Sequence, residues 1–211
     1  MEEKRVALDD PRTVAALAHP VRLDLLGYLM SEGPATASEC ARAIGDNPSN
    51  CSYHLRVLGG LGLVEDSPSD DGRERRWRAT ITGFTTDPAT AGSDELFAAS
   101  IQSDYQAARQ YLRERARLDE RWREADAHAH YGLRVTPDEL SAITRRIDAI
   151  VRPYIAAVRD DAPPDAETVN LSLLALPRPR PGAQGSGAEP MDERKTDTRS
   201  PNAWQSGGAR S

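Results

Sequence analysis

The stretch from Pro34 to Arg78 holds two helix-starting signals in close succession, and few folds place two short helices so near each other. Thr36-Ala37-Ser38-Glu39 is an S/T-x-x-E capping box: the Thr36 hydroxyl accepts from the Glu39 N–H, and the Glu39 carboxylate accepts from the Thr36 N–H. Gly45 closes that helix. Asn47 then serves as the next N-cap, with Pro48 at the first helical position. A turn of about three residues makes the two helices cross steeply, which is helix-turn-helix spacing.

The second helix separates its residues by chemistry. Ser49, Ser52, Tyr53 and Arg56 recur at helical spacing on one face, and Cys51, Leu55, Leu58 and Leu61 occupy the other. Hydroxyls, a phenol and a guanidinium on an exposed stripe suit phosphates and base edges, Arg56 being able to grip guanine O6 and N7. A hairpin follows, with an apolar strand from Leu61 to Glu65, a turn from Ser67 to Gly72 and a return strand from Arg73 to Ala79. Arg73, Arg75, Arg76 and Arg78 share that return with one acid, Glu74, and Trp77 alternates to the opposite side. A basic hairpin in this place can straddle a phosphate backbone.

His19-Pro20-Val21-Arg22-Leu23-Asp24-Leu25-Leu26, the capping box, Asn50-Cys51-Ser52-Tyr53-His54-Leu55-Arg56-Val57-Leu58 and Leu61-Gly62-Leu63-Val64 together resemble the winged-helix domain of the ArsR/SmtB-like transcriptional regulators. The likeness covers about residues 10 to 80. It implies a recognition helix from Asn47 to Gly59, with Ser52, Tyr53, His54 and Arg56 at or near DNA, and a wing around Asp70 to Arg75. Metal-sensing relatives commonly carry a Cys-x-Cys pair in the first helix of the motif. Only Cys40 stands there in this chain, so the resemblance does not extend to a thiolate metal sensor.

Ahead of the motif, Asp10-Pro11 starts a short helix to Ala18, and Pro20 starts another to about Ser31. After the wing, Thr80 to Ser93 reads as linker. A long helix spans roughly Asp94 to Asp126, and its stripe of Phe97, Ile101, Tyr105, Ala108 and Leu112, extending to Trp122, needs a partner along its length. Relatives of the family pair through helices flanking the winged domain, so the resemblance implies a homodimer here. Next, Thr136-Pro137-Asp138-Glu139 caps an amphipathic helix that runs to Val158 with a kink at Pro153. Alternating segments from His130 to Val135 and from Thr168 to Leu176 flank it as expected strands.

The expected fold is therefore mainly α with small β: a winged helix-turn-helix over 10–80, a long helix and a small α+β unit over 94–176 for dimerisation or effector binding, and a disordered tail over 177–211. The net charge of -6 opposes nonspecific attraction to DNA, so binding has to rest on local basic surface. No apolar run reaches membrane-spanning length, which points to a cytoplasmic protein with no membrane partner.

Enzymatic readings find little support. His128 and His130 stand two apart, a spacing that points in different directions on a helix, and no second ligand cluster exists. Gly59-Gly60-Leu61-Gly62 lacks the strand-then-helix context of a nucleotide loop. The sequence thus implies a regulator with no catalytic residues, no metal and no cofactor. Its DNA-binding residues are Ser49, Ser52, Tyr53, His54, Arg56, Arg73, Arg75 and Arg76, its partner is double-stranded DNA, and a small organic molecule is the expected effector. A winged helix can also serve protein contacts or bind RNA. The Ser/Tyr/Arg stripe and the basic wing favour DNA.

Overall fold

The computed structural model describes residues 4–68 and 75–178. The chain opens with a strand that the sequence reading missed, β1 (Arg5–Leu8), followed by α1 (Pro11–Leu17) and α2 (Pro20–Glu32). Asp10 caps α1 by accepting from the Arg12 and Thr13 N–H groups. A two-residue strand β2 (Ala35–Thr36) leads into α3 (Ala37–Ile44), and α4 (Pro48–Gly60) follows. Both expected starts are present. Thr36 N–H donates to Glu39 Oε2 at 2.7 Å and Glu39 N–H to Thr36 Oγ1 at 3.2 Å, and Asn47 Oδ1 accepts from the Asn50 N–H at 2.9 Å. Gly45, at φ 72°, closes α3 in the left-handed region that L-residues with a Cβ disfavour.

The hairpin begins three residues later than its apolar run suggests. Leu61 is the C-cap of α4 and Gly62 follows it in the turn that ends the helix, with the Leu63 N–H bonding back to Leu58 O at 3.1 Å, so β3 is Val64–Ser67 and its return β4 is Arg76–Ala79. These strands pair antiparallel, Glu65 opposite Arg78 and Asp66 opposite Trp77, and β2 joins the far edge of β4. The presumed linker contains β5 (Gly83–Thr86), which pairs in parallel with β1. Neither short strand has a partner nearby in sequence, so no local pattern could announce the pair.

One apolar core unites these elements. Leu25, Leu26 and Leu29 of α2, Cys40 of α3, Cys51, Leu55 and Leu58 of α4, and Val64 and Trp77 of the hairpin are all buried together. The cluster also takes in Leu8, Ile81 and Leu96, beyond the 10–80 segment of the family likeness. Leu96 comes from α5 (Ser93–Glu114), whose first turns pack inward through Ser93, Leu96 and Ala99. The Ser103 hydroxyl donates to Asp24 Oδ1 at 2.6 Å and ties the helix to α2. The opposite face of α5, with Phe97, Ile101, Tyr105 and Leu112, is exposed.

The C-terminal half departs from expectation in three places. The long helix stops at Glu114, a 3-10 turn (Arg115–Arg117) follows, and Asp119 caps a new helix α6 (Glu120–Ala125) by accepting from the Arg121 N–H at 2.9 Å. The helix capped by Thr136, α7 (Pro137–Val151), ends before Pro153 instead of kinking through it, because a proline removes an amide donor and crowds the preceding turn. Residues 130–135 and 168–176 are not strands within this chain. The expected small α+β unit is corrected to a helix flanked by irregular segments. Period-two sequence prepares a strand, but a ladder also needs an edge, and the chain supplies none to either segment. Among the described residues no helix is long and apolar enough to cross a membrane.

Candidate nucleic-acid interface

Helix α4 is seated by its buried side and leaves a polar row outside. Cys51, Leu55 and Leu58 are fully enclosed, whereas Ser49, Tyr53 and Arg56 are exposed and Ser52 is half-buried between them. Tyr53 keeps 58% of its surface open, too much for a phenol whose purpose is core packing. Arg56 has no ion-pair partner among the described residues, so its guanidinium is free to meet a phosphate or a base edge. Asp46 braces the start of this helix: its carboxylate accepts from the Asn47 N–H at 2.7 Å and from Asn50 Nδ2 at 2.6 Å. Those donors hold the Asp46 carboxyl below the usual range, first Asn47 and then Asn50.

His54 corrects the sequence reading. It lies one residue past the polar row, and α4 carries it into the core, where it is 5% exposed. Its ring centroid is 4.5 Å from that of His19 and 5.1 Å from that of Tyr53, which it meets edge-on. Arg22 Nη1 approaches His54 Nδ1 at 3.5 Å, and the Arg22 Nε–H donates to Ala16 O. Burial, followed by the neighbouring His19 and Arg22, pushes the His54 imidazole below its ordinary value, with Asp46 opposing. The enclosed ring packs α4 against His19 and Arg22 at the start of α2.

The wing is less basic than its own strand suggests. Arg75 forks onto Asp66, with Nη2 to Oδ2 at 2.5 Å, and its guanidinium lies 4.1 Å from the Trp77 ring centroid. Arg78 meets Glu65, its directly opposed neighbour, at 2.7 Å. Arg76 turns towards the body of the domain, donating to Pro34 O at 2.5 Å and standing 3.4 Å from Glu39 Oε2. Each of these arginines has an acid from another segment beside it, a neutralisation that depends on strand register. Arg73 falls outside the described residues.

Trp77 anchors the hairpin to α4. It packs over Gly59, where an added Cβ would come within 3.1 Å of the indole, so a glycine at this helix position lets the wing approach closely. Beside the hairpin, a shallow cleft of about 440 Å³ is lined by Tyr28, Glu32, Glu39, Arg42 and Arg76 among others. Within it Arg76 stands beside Glu39. Among the described residues no group of His, Cys, Asp and Glu gathers as a metal site.

Known proteins resemble this part of the chain. A family model described as a helix-turn-helix domain matches residues 17–66. The HTH-type transcriptional regulator NmtR of Mycobacterium tuberculosis is 42% identical over 62 residues, which are 29% of this chain and 51% of NmtR. The chain thus spans about half the length of that curated relative. Among solved structures, a homodimeric winged helix-turn-helix DNA-binding domain of Mb0332 from Mycobacterium bovis, a possible ArsR-family regulator, is 23% identical, with 58% of this chain and 89% of that one covered at a TM-score of 0.30. A transcriptional regulator homologue from Pyrococcus horikoshii is 26% identical, covering 46% and 87% of the two chains at a TM-score of 0.29. With the capped helix pair and the β3–β4 hairpin in place, the N-terminal part of this chain is a helix-turn-helix domain with a wing, similar in sequence to part of the regulator NmtR.

Proposed function

We propose that this protein is a sequence-specific transcriptional regulator of the cytoplasm that binds double-stranded DNA as a homodimer and represses until a small organic effector releases it. The observation that carries the DNA reading is the row of Ser49, Ser52, Tyr53 and Arg56 facing outward from α4 while the other side of that helix is sealed into the core. A convex helix bearing hydroxyls and a guanidinium with no ion-pair partner among the described residues is suited to the major groove, where base identity is presented as donors and acceptors. An acidic or apolar face would have favoured a protein partner.

The exposed stripe of α5 supports the homodimer, since four large apolar side chains in register along a helix call for cover. An organic effector is favoured over a thiophilic metal by the state of the thiols. Cys40 and Cys51 are both fully buried, and burial, with Cys51 next, pushes the Cys40 thiol up to about 11. A thiol so resistant to ionisation is a poor metal ligand. The effector region is assigned to 94–176.

Selection of bound duplexes from random DNA by the purified full chain tests the reading. The expected result is a pseudo-palindrome with half-sites about 10 base pairs apart, bound roughly 10³-fold or more tightly than a scrambled duplex. Equal binding to both duplexes would overturn it. Organic compounds should release the selected DNA and zinc, nickel or arsenite should not; a stoichiometric metal whose removal changes DNA affinity would refute the effector assignment.

A further inference from the structure

The two alternating segments of the C-terminal region have everything a strand needs except an edge. Residues 130–135 and 168–173 are equal in length and near the roughly five to six residues usual for strands. In the first, Tyr131, Leu133 and Val135 alternate with His130, Gly132 and Arg134; in the second, Val169, Leu171 and Leu173 alternate with Thr168, Asn170 and Ser172. All six apolar side chains are exposed, from 40% at Val135 to 78% at Tyr131. Among the described residues, no backbone hydrogen bond engages either segment.

The area available for a dimer points the same way. Phe97, Ile101, Tyr105 and Leu112 of α5 are 37–69% exposed, which at about 100 Å² apiece offers roughly 400 Å² of apolar surface. A standard interface takes ~800 Å² from each partner. The six side chains of the two segments bring roughly 600 Å² more by the same measure, enough to pass that size.

We propose that residues 168–173 of each copy pair as a β-strand with residues 130–135 of a second copy, so that C-terminal arms are exchanged across the dimer. This rests on the homodimer reading above and specifies how that dimer is held. Each copy carries one segment of each kind, so a single twofold axis satisfies both and yields two identical two-stranded ribbons. The apolar sides then fall together, as do the polar sides, and backbone groups that find no partner within one chain find them in the other.

Leu133 and Leu171 are the middle apolar residues of their segments, and they face each other in a parallel ladder and in the antiparallel register that sets the apolar residues opposite one another. The test mixes affinity-tagged full chain carrying Leu133→Cys with untagged full chain carrying Leu171→Cys under mild copper-phenanthroline oxidation. Wild type, whose cysteines are both buried, gives the background. A disulfide joining tagged to untagged chains is expected. If sedimentation shows a dimer but no cross-link forms between the copies, the exchange is overturned and the pairing through α5 stands; a monomer at micromolar concentration overturns both. A chain carrying both substitutions that closes only an internal disulfide also overturns the exchange. Because Leu171 is exposed in the single chain, Leu171→Asp spares the fold, and it should weaken dimerisation roughly tenfold or more with the circular-dichroism spectrum of the folded chain unaltered. An unchanged dimer dissociation constant counts against the arm.

Discussion

Replacing Arg56 or Arg75 with Ala separates a cation that is free to read DNA from one already engaged. Arg56 is exposed and has no ion-pair partner among the described residues, so Arg56→Ala should change folding stability by no more than about 0.5 kcal/mol. In the complex it should lose a charge-assisted, bidentate contact of ~1–3 kcal/mol per half-site, a loss of about 5- to 150-fold that a dimer suffers twice. Arg75 presents the opposite case. Its ion pair with Asp66 leaves the two side chains 55% and 59% exposed, so solvent limits it to ~1 kcal/mol or less, and the contact with Trp77 adds about 0.5–1 kcal/mol. Arg75→Ala should therefore lower stability by roughly 1 kcal/mol. Its effect on DNA affinity should be the smaller one, since meeting a phosphate would require Arg75 to leave Asp66. Fluorescence anisotropy on the selected and scrambled duplexes at several salt concentrations, together with urea unfolding, measures both quantities. Loss of discrimination between duplexes is expected for Arg56→Ala alone. If Arg56→Ala binds the selected duplex as tightly as wild type, or Arg75→Ala is the more damaging to specificity, the assignment of reading to α4 is wrong.

Three further outcomes follow from the packing. Because the fold holds the His54 imidazole below its ordinary 6.5, the unfolded chain binds that proton more readily; stability should be whole above about pH 6.5 and decline as pH falls below it. His54→Gln should flatten that decline in urea titrations between about pH 7.5 and pH 5.5, and identical pH profiles for the two proteins would refute the role given to His54. Leu55 is fully buried in the seat of α4, so Leu55→Ala should cost about 2–5 kcal/mol in chemical denaturation; a loss under 1 kcal/mol would mean that α4 is not anchored there. Thr36→Ala removes a cap that also positions Glu39, and a loss of about 1 kcal/mol is expected, read as a lowered melting temperature, with no loss at all arguing against the capping box.

The sequence alone determined the local starts and stops, because a cap or a helix C-terminus is decided within three or four residues. Asp10, Thr36, Asn47 and Thr136 all act as N-caps where the sequence places them, and Gly45 ends α3. The sidedness of α4 was legible for the same reason, since positions a turn apart share a face. Only the tertiary structure decided what meets those faces. His54 adjoins the polar row in sequence, yet its ring is enclosed because His19 and Arg22 from another helix close over it. Arg75, Arg76 and Arg78 look like free cations in their own strand, but hairpin register brings Asp66 and Glu65 opposite, and the capping residue Glu39 lies beside Arg76. Pairing of β1 with β5 joins distant parts of the chain, and the segments 130–135 and 168–176 show the converse case. Alternation prescribes which side of a strand is apolar, whereas the strand itself exists only where another backbone offers its hydrogen bonds.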